Sequence, residues 1–140
     1  MIKPYLRKLE TEDEKKGRVI IATVEGDIHD IGKDIVTMML DIDGFEVLDL
    51  GVDVPPKEVV KAARDFQPQV IGLSGFLTSV YASMKDTIGA VREEIRGDIK
   101  YMIGGGPMDN SIRDFVGADA YGKDAVEAVK LARTWIVGGK

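Results

Sequence analysis

The sequence has no cysteine and a single histidine, and no apolar run comes near the roughly 20 residues of a membrane span. Without cysteine there is no disulfide, no thiolate metal site and no thiol nucleophile. Basic residues are also in deficit: 19 Lys and Arg stand against 24 Asp and Glu, a net charge of -5. That balance speaks against sequence-independent nucleic-acid binding, which needs a basic face. The opening stretch, residues 1 to 17, is charged and lacks the apolar core of a secretory signal. The expectation is a cytoplasmic protein with neither a membrane nor a nucleic acid as partner. No internal repeat, low-complexity segment or second domain is evident.

What is present fits one ordinary domain. The 140 residues are 44% apolar and 31% charged, enough for a real core. Residues 1 to 17 read as an arm, with Ile2, Tyr5, Leu6 and Leu9 at helical spacing, and residues 18 to 140 as the domain. Strand-like runs at 18–24, 45–50, 69–74, 99–103 and 118–121 alternate with helical patterns at 31–40, from Pro55-Pro56 to 66, 78 to about 96, up to 116, and 123–137. Proline suits the first turn of the second helix. Such alternation implies parallel strands with right-handed crossovers. The first and third runs are almost wholly apolar, as strands covered on both faces are. The fold class is α/β: a flavodoxin-like (Rossmann-like) doubly wound sheet of five parallel strands in the order 2-1-3-4-5.

In such a sheet a ligand lies beyond the carboxyl ends of the strands, where the strand order switches. The loops there are Glu25 to Gly32, Ser74 to Thr78 and Gly104 to Pro107. The first holds the only histidine, in "EGDIHDIGKD". A neutral imidazole offers one nitrogen to a metal and an N–H to a partner. A carboxylate that accepts the N–H fixes the tautomer and makes the ligand more basic, and Asp27 stands two residues before His29. Asp30 and Asp34 are nearby, but four protein ligands for a bare structural metal are not apparent. A single axial imidazole suits a metal whose other positions a macrocycle already fills. Ser74 and Thr78 add hydroxyls, and Gly104-Gly105-Gly106 removes side chains where something must approach the backbone. Bland readings exist for each: a surface histidine, a turn aspartate, a helix-start serine, a flexible glycine turn. Met38 and Met39 read as core, and Lys85, Arg92, Glu93 and Glu94 as a solvated helix face.

With the three loops in order, the chain resembles the cobalamin-binding domain of corrinoid proteins. Asp27-x-His29-x-x-Gly32 matches the signature Asp-x-His-x-x-Gly, Ser74-Gly75-Phe76 the Ser-x-Leu position, and Gly104-Gly105 the Gly-Gly pair. "GDIHDIGKDIV" is most similar to the methyltransferase branch, which includes methionine synthase and the corrinoid proteins of methylamine and methanol demethylation. The resemblance implies a cobalamin bound with its own base displaced and His29 as lower axial ligand to cobalt, tuned by Asp27. The displaced tail would enter a slot between strands one and three lined by Ser74, Thr78, Gly104 and Gly105. The cofactor-binding set so implied is Asp27, His29, Asp30, Ile31, Gly32, Ser74, Phe76, Thr78, Gly104 and Gly105, with His29 the metal ligand. Cobalt would cycle between Co(I) and a methylated Co(III) state. The implied partners are a substrate:corrinoid methyltransferase and a methyl-acceptor methyltransferase, with a reductive activase as a further candidate. The chain alone would be one component of such a system and not a complete enzyme.

Three departures stand out. Phe76 replaces the leucine of Ser-x-Leu. Val80 occupies the place of a serine that extends the His-Asp relay in methionine synthase, so an extended relay is in doubt. Only residues 1 to 17 precede strand one, where the branch carries a helical domain over the corrinoid's upper face. "IKPYLRKL" looks like the end of that domain's last helix. Rival functions are weighed by their residues. A receiver domain needs an aspartate where Ser74 stands, and a flavodoxin needs a hydroxyl-rich phosphate loop where "EGDIHDIG" is acidic. The serious alternatives are a small subunit of an adenosylcobalamin-dependent mutase and a non-catalytic cobalamin carrier.

Overall fold

The protein was analysed as a computed structural model. The described residues are 17–27, 31–75, 80–95, 97–105, 109–122 and 124–137. The first sixteen residues of the expected arm lie outside them.

Five strands and five helices alternate: β1 (Arg18–Thr23), α1 (Ile31–Ile42), β2 (Glu46–Asp49), α2 (Pro56–Phe66), β3 (Val70–Gly75), α3 (Val80–Glu94), β4 (Lys100–Gly105), α4 (Asn110–Val116), β5 (Ala120–Tyr121) and α5 (Ala125–Val137). All strand pairs are parallel, and the order is β2-β1-β3-β4-β5, as expected. Side chains alternate across a strand, so β1 feeds two cores at once. Ile20 and Ala22 join Val59, Ile71, Met84, Ile88 and Tyr101 under α2, α3 and α4. Val19 and Ile21 join Leu40, Phe45, Met102, Val129 and Ala132 under α1 and α5. Burial on both faces is why this strand reads as an unbroken apolar run.

β4 runs to Gly105, two residues past the expected end, because Gly104 and Gly105 pair in register with Ser74 and Gly75. Met38 corrects a second expectation: it is 55% exposed, on a stripe of α1 with Ile35 and Ile42. Met39 packs against the second core. Lys85, Arg92, Glu93 and Glu94 are exposed, as read from the sequence. Among the described residues no helix is long and apolar enough to cross a membrane.

Candidate functional site

The carboxyl ends of β1, β3 and β4 converge on one edge of the sheet. Thr23 and Ser74 face each other there across β1 and β3, their hydroxyl oxygens 2.9 Å apart. Thr23 is fully buried and Ser74 partly so. Val24 continues the pairing by donating to the Ser74 carbonyl at 3.1 Å. Asp27 follows at the mouth of the next loop with 1% of its surface exposed. Asp27 closes the turn after β1, its N–H donating to the Val24 carbonyl at 3.2 Å, and a carboxylate placed that deep needs partners. Ile31 and Gly32 open α1, with their backbones alone described. His29, Asp30, Phe76 and Thr78 lie outside the described residues.

Beside these ends lies a cleft of about 140 Å³, open to solvent on one side. That is smaller than a typical enclosed cofactor pocket, as suits a groove that takes one part of a large ligand. Its floor is the sheet, at Gly72 to Ser74 of β3 and Met102 to Gly105 of β4, with Ile21 the single contribution of β1. Lys33 and Val36 of α1 form one wall, and Gly122, Asp124, Ala125 and Ala128 the other. The space is thus centred over β3 and β4, one strand further along than the expected slot between β1 and β3. Ser74, Gly104 and Gly105 all reach it.

Part of the lining has no side chain: Gly72, Gly104, Gly105 and Gly122 bare their backbones to the cleft. A Cβ on Gly104 would stand 3.2 Å from the Gly122 carbonyl oxygen, and one on Gly122 would stand 3.2 Å from the Ala128 nitrogen. Gly105 has a second duty. Its φ is +118°, and a Cβ there would meet the Gly75 oxygen at 2.5 Å. It is therefore needed for β3 and β4 to close upon each other, whatever the cleft holds. Val80 is fully buried in the core and crowds the space over Gly75, so the residue at the relay position is a packing residue.

Lys33 was not among the expected site residues. It is 4% exposed, and its Nζ donates to Asp34 Oδ1 at 2.8 Å and to Asp49 Oδ1 and Oδ2 at 3.0 and 2.8 Å. Burial alone would depress its proton affinity. The hydrogen bonds and charges of Asp34 and Asp49 outweigh that and hold it above the ordinary lysine value. The signal was available in the sequence: Lys33, Val36 and Leu40 recur at helical spacing on the inward face of α1.

Comparison with known proteins decides the family. The family model of the B12 binding domain matches residues 17–130. The chain belongs to the B12-binding domain family. Trimethylamine corrinoid protein 1 of Methanosarcina mazei is 42% identical over 134 residues, which is 95% of this chain and 62% of that protein. The crystal structure of a cobalamin-binding protein from Desulfitobacterium hafniense superposes with a TM-score of 0.83 at 40% identity. It covers 95% of this chain and 62% of that one. The methanol:cobalamin methyltransferase complex MtaBC of Methanosarcina barkeri gives 0.82 at 34% identity, over 89% of this chain and 48% of that one. This B12-binding domain spans about three fifths of the curated relatives it matches. Cobalamin is its cofactor, and cobalt is the metal that cofactor brings. The residues present fit it: Gly72, Gly104, Gly105 and Gly122 let a ligand approach the backbone along one side of the cleft, and Ser74 offers a hydroxyl there.

Proposed function

We propose that this domain carries methyl groups between partner methyltransferases on a corrinoid held base-off, with His29 as its lower axial ligand. The observations that carry the reading are the cleft over β3 and β4 and, past the end of the adjoining β1, the buried Asp27 that leads in sequence to His29. A bound corrinoid supplies a cobalt centre that accepts and releases a methyl group.

The chain's own residues serve that chemistry by binding and orienting. Gly104, Gly122 and Ala125 leave room for the displaced tail, and the Ser74 hydroxyl, already 2.9 Å from Thr23, is set to meet its polar end. Asp30, Ile31, Gly32, Phe76 and Thr78, which follow β1 and β3 in the sequence, are read as completing the cofactor-binding set. Asp27 holds the imidazole N–H, so that the other ring nitrogen faces the metal. Its burial supports this, because a shielded carboxylate is a stronger acceptor than a solvated one. Partners of the methyltransferase kind are supported by the likeness to the methanol:cobalamin methyltransferase complex and to the trimethylamine corrinoid protein.

The test loads the protein with cobalamin and asks for methyl transfer in both directions. With the cobalt reduced, methyl iodide or a substrate:corrinoid methyltransferase with its methylated substrate is expected to methylate it, and a methyl-acceptor methyltransferase to pass the methyl group on to an acceptor thiol. Loaded protein that passes no methyl group to any methyltransferase, yet supports a carbon-skeleton rearrangement with adenosylcobalamin and a large partner, would overturn the proposal in favour of a mutase subunit.

A further inference from the structure

The chemistry of the 25–33 loop is carried by its own residues, but its position is held from outside. On its entry side, Gly26 donates its N–H to Asp53 Oδ1 at 2.8 Å, and Asp53 donates its own N–H to the Asp27 carbonyl at 2.9 Å. Val54 donates to the Thr23 carbonyl at 3.0 Å, and Val24 and Val54 form a parallel bridge. On its exit side, the Lys33 ammonium is gripped by both oxygens of Asp49, whose Oδ1 also accepts the Gly51 N–H at 2.9 Å. One stretch, from Asp49 at the end of β2 to Val54, thus clasps residues on both sides of His29 in the sequence. In the sequence, His29 falls between the two clasped positions, Asp27 and Lys33.

Both clasps are costly to build. Asp53 sits at φ 54°, in the left-handed region where a residue with a Cβ is strained. Lys33 keeps an ammonium out of water, which is tolerable only with the carboxylates it has been given. Neither is needed to form the sheet, since β1 and β2 pair in register from Arg18 to Ile21, below this point. The two expenses fall on either side of the only histidine in the chain.

We infer that Asp53 and the Lys33–Asp49 pair are positioning residues that brace the His29 loop, so that the imidazole meets cobalt without being ordered anew on binding. This rests on the reading of His29 as the axial ligand. A short segment whose flanking residues are fixed has few conformations to lose. Freed at one end, it must be ordered at the expense of affinity. The brace acts through His29 and touches no reacting atom.

The test uses the full chain with three variants. Asp53→Gly accepts a positive φ freely but offers no acceptor to Gly26. Asp53→Asn tolerates the same φ and keeps an acceptor oxygen. Lys33→Met removes the exit clasp, and if it fails to fold the Asp53 pair carries the test. Two readouts are taken: amide exchange of Gly26 in the ligand-free protein, and the nitrogen superhyperfine splitting of bound cob(II)alamin with and without nitrogen-15-labelled histidine. In Asp53→Gly, Gly26 exchange rises, the histidine-ligated fraction falls and affinity drops about tenfold, the scale set by partners that orient a metal ligand. In Asp53→Asn all three return toward wild type. Wild-type splitting and affinity in both Asp53→Gly and Lys33→Met would overturn the brace while leaving His29 as the ligand. A wild-type protein whose splitting ignores the label would overturn the reading of His29, and the brace with it.

Discussion

Tyr101 shows how much the surroundings of one side chain set its chemistry. It lies in β4 with 2% of its surface exposed, and burial pushes its hydroxyl up to about 12. The Arg92 guanidinium, 4.7 Å from the ring centre, pulls the other way, and Asp119 adds to the rise. An acid whose folded value is raised stabilises the fold fully below its unfolded value near 10, and that contribution is lost as pH climbs toward 12. The unfolding free energy of the wild type is expected to fall by on the order of 2 kcal/mol more across this window than that of Tyr101→Phe. Parallel denaturant titrations at pH 9.5 and 12 check it; equal losses in the two proteins would contradict it. Gly105 makes a second case. Gly105→Ala is expected to destabilise by about 2 kcal/mol, since it strains φ and drives a methyl group into Gly75. Urea unfolding of the ligand-free protein measures this, and an unchanged midpoint would refute it. For this reason Gly105 is a poor probe of ligand binding. At this scale the sequence was legible only where a residue was rare. The lone histidine and the glycine pair drew the eye. Lys33 and Asp53 did not, because a lysine and an aspartate are usually solvated and only tertiary contacts bury one and strain the other. Met38 was misjudged because an apolar residue on a helix reads as core until the neighbouring helix is seen not to cover it.

The elements were easier to read than their ends. Apolar runs located β1 and β3, and Pro56 with the αL residue Gln67 bounds α2 within a residue of the expected limits. β4 was under-read because glycines score as loop, whereas here they are the only residues narrow enough to extend the pairing with β3. The cleft itself was not legible. It is a space left between α1, α5 and the ends of β3 and β4, and small residues at Gly122, Ala125 and Ala128 look unremarkable one at a time. Ala125→Leu places a larger side chain in that space without touching strand pairing. The mutant is expected to fold with the wild-type midpoint and to bind cobalamin at least tenfold more weakly, a methylene-scale obstruction in a narrow pocket being worth about 1–3 kcal/mol. Equilibrium dialysis of both proteins decides it. Undiminished affinity would mean that the tail does not use the cleft.

Across the whole molecule, topology turns three separated sequence motifs into one site. The crossovers of a 2-1-3-4-5 sheet bring the ends of β1, β3 and β4 side by side, although residues 23, 75 and 105 are far apart in the chain. This arrangement was legible from alternation alone, since few topologies satisfy it. A net charge of -5 works against sequence-independent nucleic-acid binding. The claim on which all else depends is that the imidazole of His29 reaches cobalt. The most direct measurement is the electron paramagnetic resonance spectrum of cob(II)alamin bound to protein made with nitrogen-15-labelled histidine. The expected result is a superhyperfine pattern that changes from the triplet of nitrogen-14 to the doublet of nitrogen-15, and its disappearance in His29→Ala. A pattern indifferent to the label, with cobalamin still bound, would mean that the cofactor keeps its own base and that His29 is not its ligand.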